Sequence, residues 1–202
     1  HRTQALAESG TCMNASHAER QGQKKLVLST CRRTLRLKEV DHLLRGYRAV
    51  PWIIPPSTCA NADLLDTKLK ELLPANCALV MFTQGRFLAA RLWGHTRTAV
   101  IYDGHNPSGS LELRTATGKS AAELLNTAYE QATGNKLIKI TDGECARQDD
   151  VTTCGLHAVR NAARRSAGQT PESAEYRTVE TVTKDLARLA SAVLEQRTST
   201  AE

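Results

Sequence analysis

Residues 148–155 read QDDVTTCG, and the segment that follows, LHAVRNAARR (156–165), has the composition of a helix. Cys154 would therefore lie at the amino end of that helix, where the helix dipole is positive. This position, together with a neighbouring base, lowers the pKa of a thiol and makes a thiolate available near neutral pH. Gln148, six residues upstream, carries an amide that can donate hydrogen bonds. The stretch predicts a nucleophilic cysteine with an adjacent oxyanion donor; the alternative is that Cys154 is a small core residue.

The charge is unevenly distributed along the 202 residues, whose formal net charge is +6. Residues 1–50 contain ten Lys/Arg and four Asp/Glu, which leaves 17 of each kind in residues 51–202. The whole excess of positive charge therefore belongs to residues 1–50. Such a segment contacts nucleic acid or an acidic partner in some proteins and is only a solvated flank in others. Both interpretations remain open.

Several classes of protein are disfavoured by composition. No apolar run approaches the roughly 18 residues of a membrane span, and residues 1–10 (HRTQALAESG) lack the apolar core of a signal peptide. The six cysteines form neither a C-x-x-C pair nor a Cys/His cluster at zinc spacing. We therefore expect a monomeric intracellular protein with reduced thiols, no membrane contact, no metal and no other cofactor.

Length and hydrophobic content predict one sizeable core. Residues 1–25 are polar and without sustained periodicity, so they are predicted to be a tail, and residues 26–202 are predicted to form a single α/β domain. Residues 50–56 (VPWIIPP) suit an extended edge because of their prolines. In residues 63–73 the leucines recur at helical intervals, and Asp63 is the candidate cap.

The other predicted elements alternate between helix and strand. The predicted strands are 26–29, 77–83, 87–93, 98–102, 111–114 and 136–141, with a tight turn at 94–97. The other predicted helices are 35–44, 120–133, 155–166 and 172–196.

Three side chains follow one another in this order of elements: Asp103 at the exit of a strand, Gln148 on a loop and Cys154 at a helix start. The interval from Asp103 to Cys154 is 51 positions, which is enough for a helix and a strand. This order and the Q-x5-C-G spacing resemble the ubiquitin-like-protein-specific cysteine proteases, the SUMO and NEDD8 isopeptidases, with their adenoviral-proteinase and bacterial-effector relatives. The resemblance covers about residues 35–165. It implies an α/β (α+β), papain-like fold with a central, mostly antiparallel sheet flanked by helices.

The resemblance also implies roles for these residues. Cys154 would be the nucleophile, Gln148 would form the oxyanion hole with the Cys154 backbone N–H, and Asp103 would orient the general base. The substrate would be ubiquitin or a ubiquitin-like modifier, cleaved through a thioester at its Gly-Gly tail. Trp52 or Trp93 would floor the groove for that tail or would pack in the core. The location would be the cytoplasm or nucleus, or a host cell for a secreted effector.

The position of the base departs from the family pattern. Counting back from Asp103 over the hairpin, this position holds Arg86, followed by Phe87 where the family usually has tryptophan. An arginine, whose pKa exceeds about 12, cannot accept a proton at physiological pH. Arg86 could still pair with Asp103 and attract a thiolate.

Three histidines are alternative bases. His105 lies two residues past Asp103 on a loop, His95 lies in the predicted turn at the far end of the strands, and His157 lies three residues after Cys154 on the helix. Each of them also has a simpler interpretation as a surface or core residue.

Four functions remain open at this point. The first is a cysteine isopeptidase that uses Cys154. The second is a pseudo-protease of the same fold that binds a ubiquitin-like protein or another partner, as Arg86 suggests. The third is an acyltransferase of the bacterial-effector type, and the fourth is nucleic-acid binding through residues 1–50.

Overall fold

The computed structural model of the protein describes residues 34–46, 52–83, 85–105, 120–150, 152–164 and 170–200. The described helices are α1 (Leu37–Arg45), α2 (Pro56–Cys59), α3 (Ala62–Leu72), α4 (Ala121–Thr133), α5 (Cys154–Ala163), α6 (Ala174–Arg177) and α7 (Val179–Ser199). The described strands are β1 (Ile53–Ile54), β2 (Asn76–Thr83), β3 (Arg86–Trp93), β4 (Thr98–Tyr102) and β5 (Lys139–Asp142). The predicted tail at 1–25 and the predicted strands at 26–29 and 111–114 lie outside the described residues.

The five strands form one sheet in the order β1-β2-β3-β4-β5. The long central pairings, β2 with β3 and β3 with β4, are antiparallel, whereas the short edge pairings, β1 with β2 and β4 with β5, are parallel. Thr83 pairs with Arg86 across the β2–β3 turn, and Asn76 pairs with Trp93 at the other end. The predicted α/β fold with a mostly antiparallel central sheet is confirmed.

The two faces of the sheet are covered by different helices because side chains alternate along each strand. Ala78 and Val80 of β2 face a core shared with α1, α5 and α7, whereas Leu79 and Met81 face a core shared with α3 and α4. The residues of β3 beneath α5 include the small Ala89, which is fully buried. Small side chains allow a helix to approach a strand closely, and this positions the start of α5 over the sheet.

Helix α3 begins one residue earlier than its predicted cap. The side chain of Asn61 accepts hydrogen bonds from the backbone N–H groups of Asp63 and Leu64, each at 3.1 Å, so Asn61 is the N-cap. The prediction that Asp63 caps this helix is wrong. Asp63 lies in the first turn, where its negative charge is favourable with the helix dipole.

Two other predicted boundaries are corrected. The helix predicted at 172–196 is two helices, because Thr178 is extended (φ −60°, ψ 141°) and its side chain accepts from the backbone N–H of Thr181 to begin α7. The strand predicted from residue 136 begins at Lys139. The backbone N–H of Leu137 donates instead to the Asn126 side chain of α4, at 2.9 Å.

The four cysteines within the described residues, Cys59, Cys77, Cys145 and Cys154, are free thiols. None of the described helices combines the length and the apolar character needed to cross a membrane.

Candidate active site

Cys154 is the first residue of α5, and its side chain is almost completely buried. Packing explains why the next residue, Gly155, is a glycine. A Cβ added to Gly155 would lie 3.1 Å from Leu35 Cδ1 and 3.2 Å from Val40 Cγ2, which are tight contacts with the α1 region. Glycine therefore allows the start of α5 to pack against α1, and this packing places Cys154 at the edge of the core.

Opposing effects act on the Cys154 thiol. Burial raises its pKa, and the negative charges of Asp150 and Asp103 raise it further. Backbone N–H groups of Phe87 and Gly155 hydrogen-bond the sulfur and act in the opposite direction. The pKa of Cys154 lies above its usual value, so the expectation of a lowered thiol pKa is wrong. Burial and the two negative charges together outweigh these backbone hydrogen bonds.

Arg86 and Asp103 form an ion pair beside this thiol. Arg86 begins β3 and Asp103 follows the last residue of β4, so the antiparallel pairing of the two strands brings them together. Arg86 Nη2 lies 3.0 Å from Asp103 Oδ2, in an ion pair without the alignment of a hydrogen bond. Asp103 is 2% exposed and Arg86 is 19% exposed. The Phe87 N–H contact with the sulfur places this pair next to Cys154.

The Gln148 loop is held against the residue that follows Asp103. The backbone N–H of buried Gln148 donates to Gly104 O at 2.7 Å, and its side-chain Nε2 donates to Asp150 O at 2.5 Å. A Cβ on Gly104 would lie 3.1 Å from Ala146 O and 3.4 Å from His157 Nδ1. Glycine therefore permits this close approach. Gln148 Nε2 carries a second hydrogen that can be donated to another acceptor.

The three histidines considered as bases lie in different environments. His95 is in the turn after β3, at the opposite end of that strand from Arg86, and an eight-residue strand spans about 26 Å. His105 is exposed, and its backbone N–H donates to Asp103 Oδ1 at 3.0 Å. His157 is buried; burial first, and then the charge of Arg160, lowers its pKa to about 4.

The two tryptophans lie away from the thiol. Trp93 ends β3 at the opposite end from Arg86. Trp52 and Trp93 line a cavity of about 210 Å³ together with Asn76 and Arg91. The structure therefore does not place them as the floor of a groove at Cys154.

No protein-family model matches the sequence, and no curated protein matches it significantly. Several solved structures resemble the fold. The SUMO protease Ulp1, with its catalytic cysteine oxidised to a sulfenic acid, gives a TM-score of 0.53 at 9% identity over 91% of this chain and 97% of that chain. The Ulp1 protease domain in complex with Smt3, the yeast ortholog of SUMO, gives 0.53 at 10% identity over 83% and 80%.

The catalytic domain of the Ulp1-like SUMO protease of Chaetomium thermophilum gives a TM-score of 0.52 at 13% identity, over 80% of this chain and 72% of that chain. The chain has the Ulp1 protease fold. At these identities the likeness concerns the fold, so the roles of individual residues depend on their geometry.

Within the Ulp1-type fold of this chain, the structure brings together Cys154, Asp103, Gln148 and Arg86, and it adds Asp150, which the sequence analysis missed. Directly before the helix, Asp150 Oδ1 accepts hydrogen bonds from Thr152 and Thr153, and Asp150 Oδ2 accepts one from Thr153. The signal was present in the sequence: an Asp followed at two and three positions by threonines is typical of a turn that precedes a helix.

Proposed function

We propose that this protein is a pseudo-protease that binds a ubiquitin-like modifier at the Cys154 site, with Arg86 preventing turnover. The ion pair between Arg86 and Asp103 beside the thiol carries this proposal. A general base must take the thiol proton, and as an acid it must then protonate the leaving amine. A guanidinium with a pKa above about 12 does neither at physiological pH.

The state of the thiol supports the same conclusion. Cys154 is 3% exposed and its pKa is raised, chiefly by burial. An attacking thiol needs a substantial thiolate fraction near neutral pH. A buried thiol with a raised pKa, beside a paired Arg86, therefore supports binding without turnover.

The proposed partner is taken from a protein that shares this fold. The Ulp1 protease domain that shares this fold was solved in complex with Smt3, the yeast ortholog of SUMO. We extend this to a SUMO-type modifier for the present chain, with ubiquitin as the second modifier to test. Because ubiquitin-like modifiers act inside cells, the proposal carries an intracellular location.

A second candidate function is an active cysteine isopeptidase. The observation in its favour is that backbone N–H groups of Phe87 and Gly155 hydrogen-bond the Cys154 sulfur and stabilise a thiolate. Gln148 also keeps one amide hydrogen for an oxyanion. This function requires a base other than Arg86, and His105 is the histidine nearest in sequence to Asp103.

The test compares four proteins: the chain as given, Cys154→Ala, Arg86→His and Arg86→Gln. Each is incubated with SUMO and with ubiquitin that carry a C-terminal electrophile, and covalent adducts are counted by intact-mass spectrometry. Arg86→Gln is the matched control, because it removes the charge without adding a base. Affinity for the unmodified modifiers is measured in parallel by calorimetry.

We expect all four proteins to bind one modifier with similar affinity, and we expect only Arg86→His to form an adduct rapidly. Rapid labelling of Cys154 in the chain as given would overturn the pseudo-protease proposal in favour of the isopeptidase. Failure of every variant to bind either modifier would overturn both candidates.

A further inference from the structure

The side chain of Asp150 contacts the chain immediately before Cys154. Its Oδ1 accepts from the backbone N–H groups of Thr152 and Thr153, both at 2.7 Å, and from Thr152 Oγ1 at 3.2 Å. Its Oδ2 accepts from Thr153 Oγ1 at 2.6 Å. Thr153 is the N-cap residue of α5, but its hydroxyl is directed to Asp150 and does not cap the helix. Asp150 thus organises the segment from which the helix begins.

The main-chain oxygen of Asp150 contacts the side-chain amide of Gln148. Asp150 O accepts from Gln148 Nε2 at 2.5 Å, and the backbone N–H of Gln148 donates to Gly104 O at 2.7 Å. Asp150 therefore contacts both the side-chain amide of Gln148 and the residue that precedes Cys154. Through Gln148, it is also connected to the end of β4 that carries Asp103.

We propose that Asp150 is the positioning residue of this site: its carboxylate holds the start of α5, and so Cys154, while its main-chain oxygen aims the Gln148 amide. The inference rests on the proposed function only in taking Cys154 as the thiol of the site. It assigns to Asp150 a role that neither Arg86 nor Asp103 performs.

The charge of Asp150 and its geometry have opposite consequences. Burial by itself raises the pKa of its carboxyl, but the hydrogen bonds from Thr153 and Thr152 outweigh burial, so the pKa lies below its usual value and the group stays anionic. Hydrogen bonds to an ionised acceptor are the stronger kind. The same negative charge raises the pKa of Cys154. Asp150 therefore fixes the thiol in place and also opposes its ionisation.

Two substitutions separate these contributions. Asp150→Asn removes the charge but keeps an oxygen for the two backbone N–H groups, and its amide can donate to the Thr153 hydroxyl. Asp150→Ala removes the four side-chain hydrogen bonds. Asp149→Asn is the matched control, because it removes the same charge from the adjacent residue, which is exposed as Asp150 is.

The measurement is the rate of alkylation of Cys154 by iodoacetamide across pH 6–10, followed by mass spectrometry of the peptide that contains Cys154. For Asp150→Asn we expect the midpoint pH to fall by about half a unit while the high-pH rate is kept, because only a nearby negative charge is lost. For Asp150→Ala we expect the high-pH rate to rise roughly tenfold, because the first turn of α5 opens more readily and exposes the buried sulfur. Asp149→Asn should match the parent chain in both respects.

Equal profiles for the parent, Asp150→Asn and Asp150→Ala would overturn the inference, as would an Asp149→Asn profile identical to that of Asp150→Asn. Should Asp150→Ala fail to fold, Thr153→Val replaces it, because this removes only the 2.6 Å bond to Oδ2 and predicts a smaller rise in the same rate. Alkylation needs no modifier. Loss of modifier binding with the expected alkylation pattern would therefore count against the proposed function alone.

Discussion

Two arginine–aspartate pairs lie along helix α5, and they differ in which partner is buried. At the site, Asp103 is 2% exposed and Arg86 is 19% exposed, with Nη2 and Oδ2 3.0 Å apart. Further along the helix, the Arg160 side chain is 1% exposed and Asp185 of α7 is 20% exposed, with Nε and Oδ2 3.2 Å apart.

Within the described part of the chain, the second pair has more partners than the first. The guanidinium of Arg160 lies 3.4 Å from the centroid of the Tyr176 ring and donates to Tyr176 O, and Arg164 also contacts Asp185. Because its cation is held from several sides, this pair connects α5, α6 and α7 as a unit. Among the residues that the structure describes, Asp103 has one cation, Arg86, and accepts from one backbone N–H, that of His105. An ion pair with so few described partners is the kind of contact that another residue can replace.

The largest effect is expected when Arg160 is changed. Arg160→Ala removes the ion pair, the stacking on Tyr176 and the bond to Tyr176 O, so the free energy of unfolding should fall by about 4 kcal/mol. Urea denaturation followed by circular dichroism measures this change. A loss of less than about 1 kcal/mol would show that the two pairs do not differ in the way described.

The next largest loss of stability is expected at low pH, where His157 becomes protonated. Its pKa in the folded protein is about 4, against 6.5 ordinarily, so the fold favours the neutral imidazole. The stability that this provides is present above pH 6.5 and is lost as the pH falls toward 4, to a total of about 3 kcal/mol. Between pH 7 and 4.5 the free energy of unfolding should decline less steeply for His157→Gln than for the parent chain. The exposed His95→Gln is the control, and it should retain the full decline.

Removing Arg86 should have a smaller effect, because the partly exposed position lets water reach Asp103. We expect Arg86→Ala to lower the free energy of unfolding by about 2 kcal/mol, which reflects the carboxylate left unpaired. Adding Asp103→Asn should recover at least half of this loss. A double variant as unstable as the sum of the two single variants would contradict the view that the pair is replaceable.

The smallest effect is expected at an exposed pair. Arg177 Nη1 donates to Glu144 Oε2 at 2.6 Å, but the two side chains are 40% and 76% exposed. Arg177→Ala should therefore change the free energy of unfolding by less than about 1 kcal/mol. The difference should shrink further in 1 M salt, as measured by thermal unfolding. A larger loss would show that burial does not decide the strength of these pairs.

Much of the fold was predictable because local patterns govern it. The strands at Cys77 to Thr83 and at Thr98 to Tyr102 follow from apolar runs bounded by turn residues, and the structure confirms them. The cap of α3 was misassigned because Asn61 and Asp63 both have suitable side chains, and only the backbone dihedral angles distinguish them.

The site was predictable in its members but not in its electrostatics. The spacing from Gln148 to Cys154 and the place of Asp103 at a strand exit are properties of the chain order, so sequence alone could identify them. The pKa of Cys154 could not be predicted, because it depends on burial against distant segments and on the charges of Asp150 and Asp103.

The sequence by itself determined the order of strands and helices, the candidate thiol and amide, and the presence of an arginine where a base was expected. The tertiary structure decided that Arg86 pairs with buried Asp103, that burial raises the pKa of Cys154, and that Asp150 connects the loop to the helix. The physical reason is the separation along the chain over which each interaction acts. Periodicity and turn chemistry act between neighbours in the chain, whereas desolvation and ion pairing depend on groups that only folding brings together.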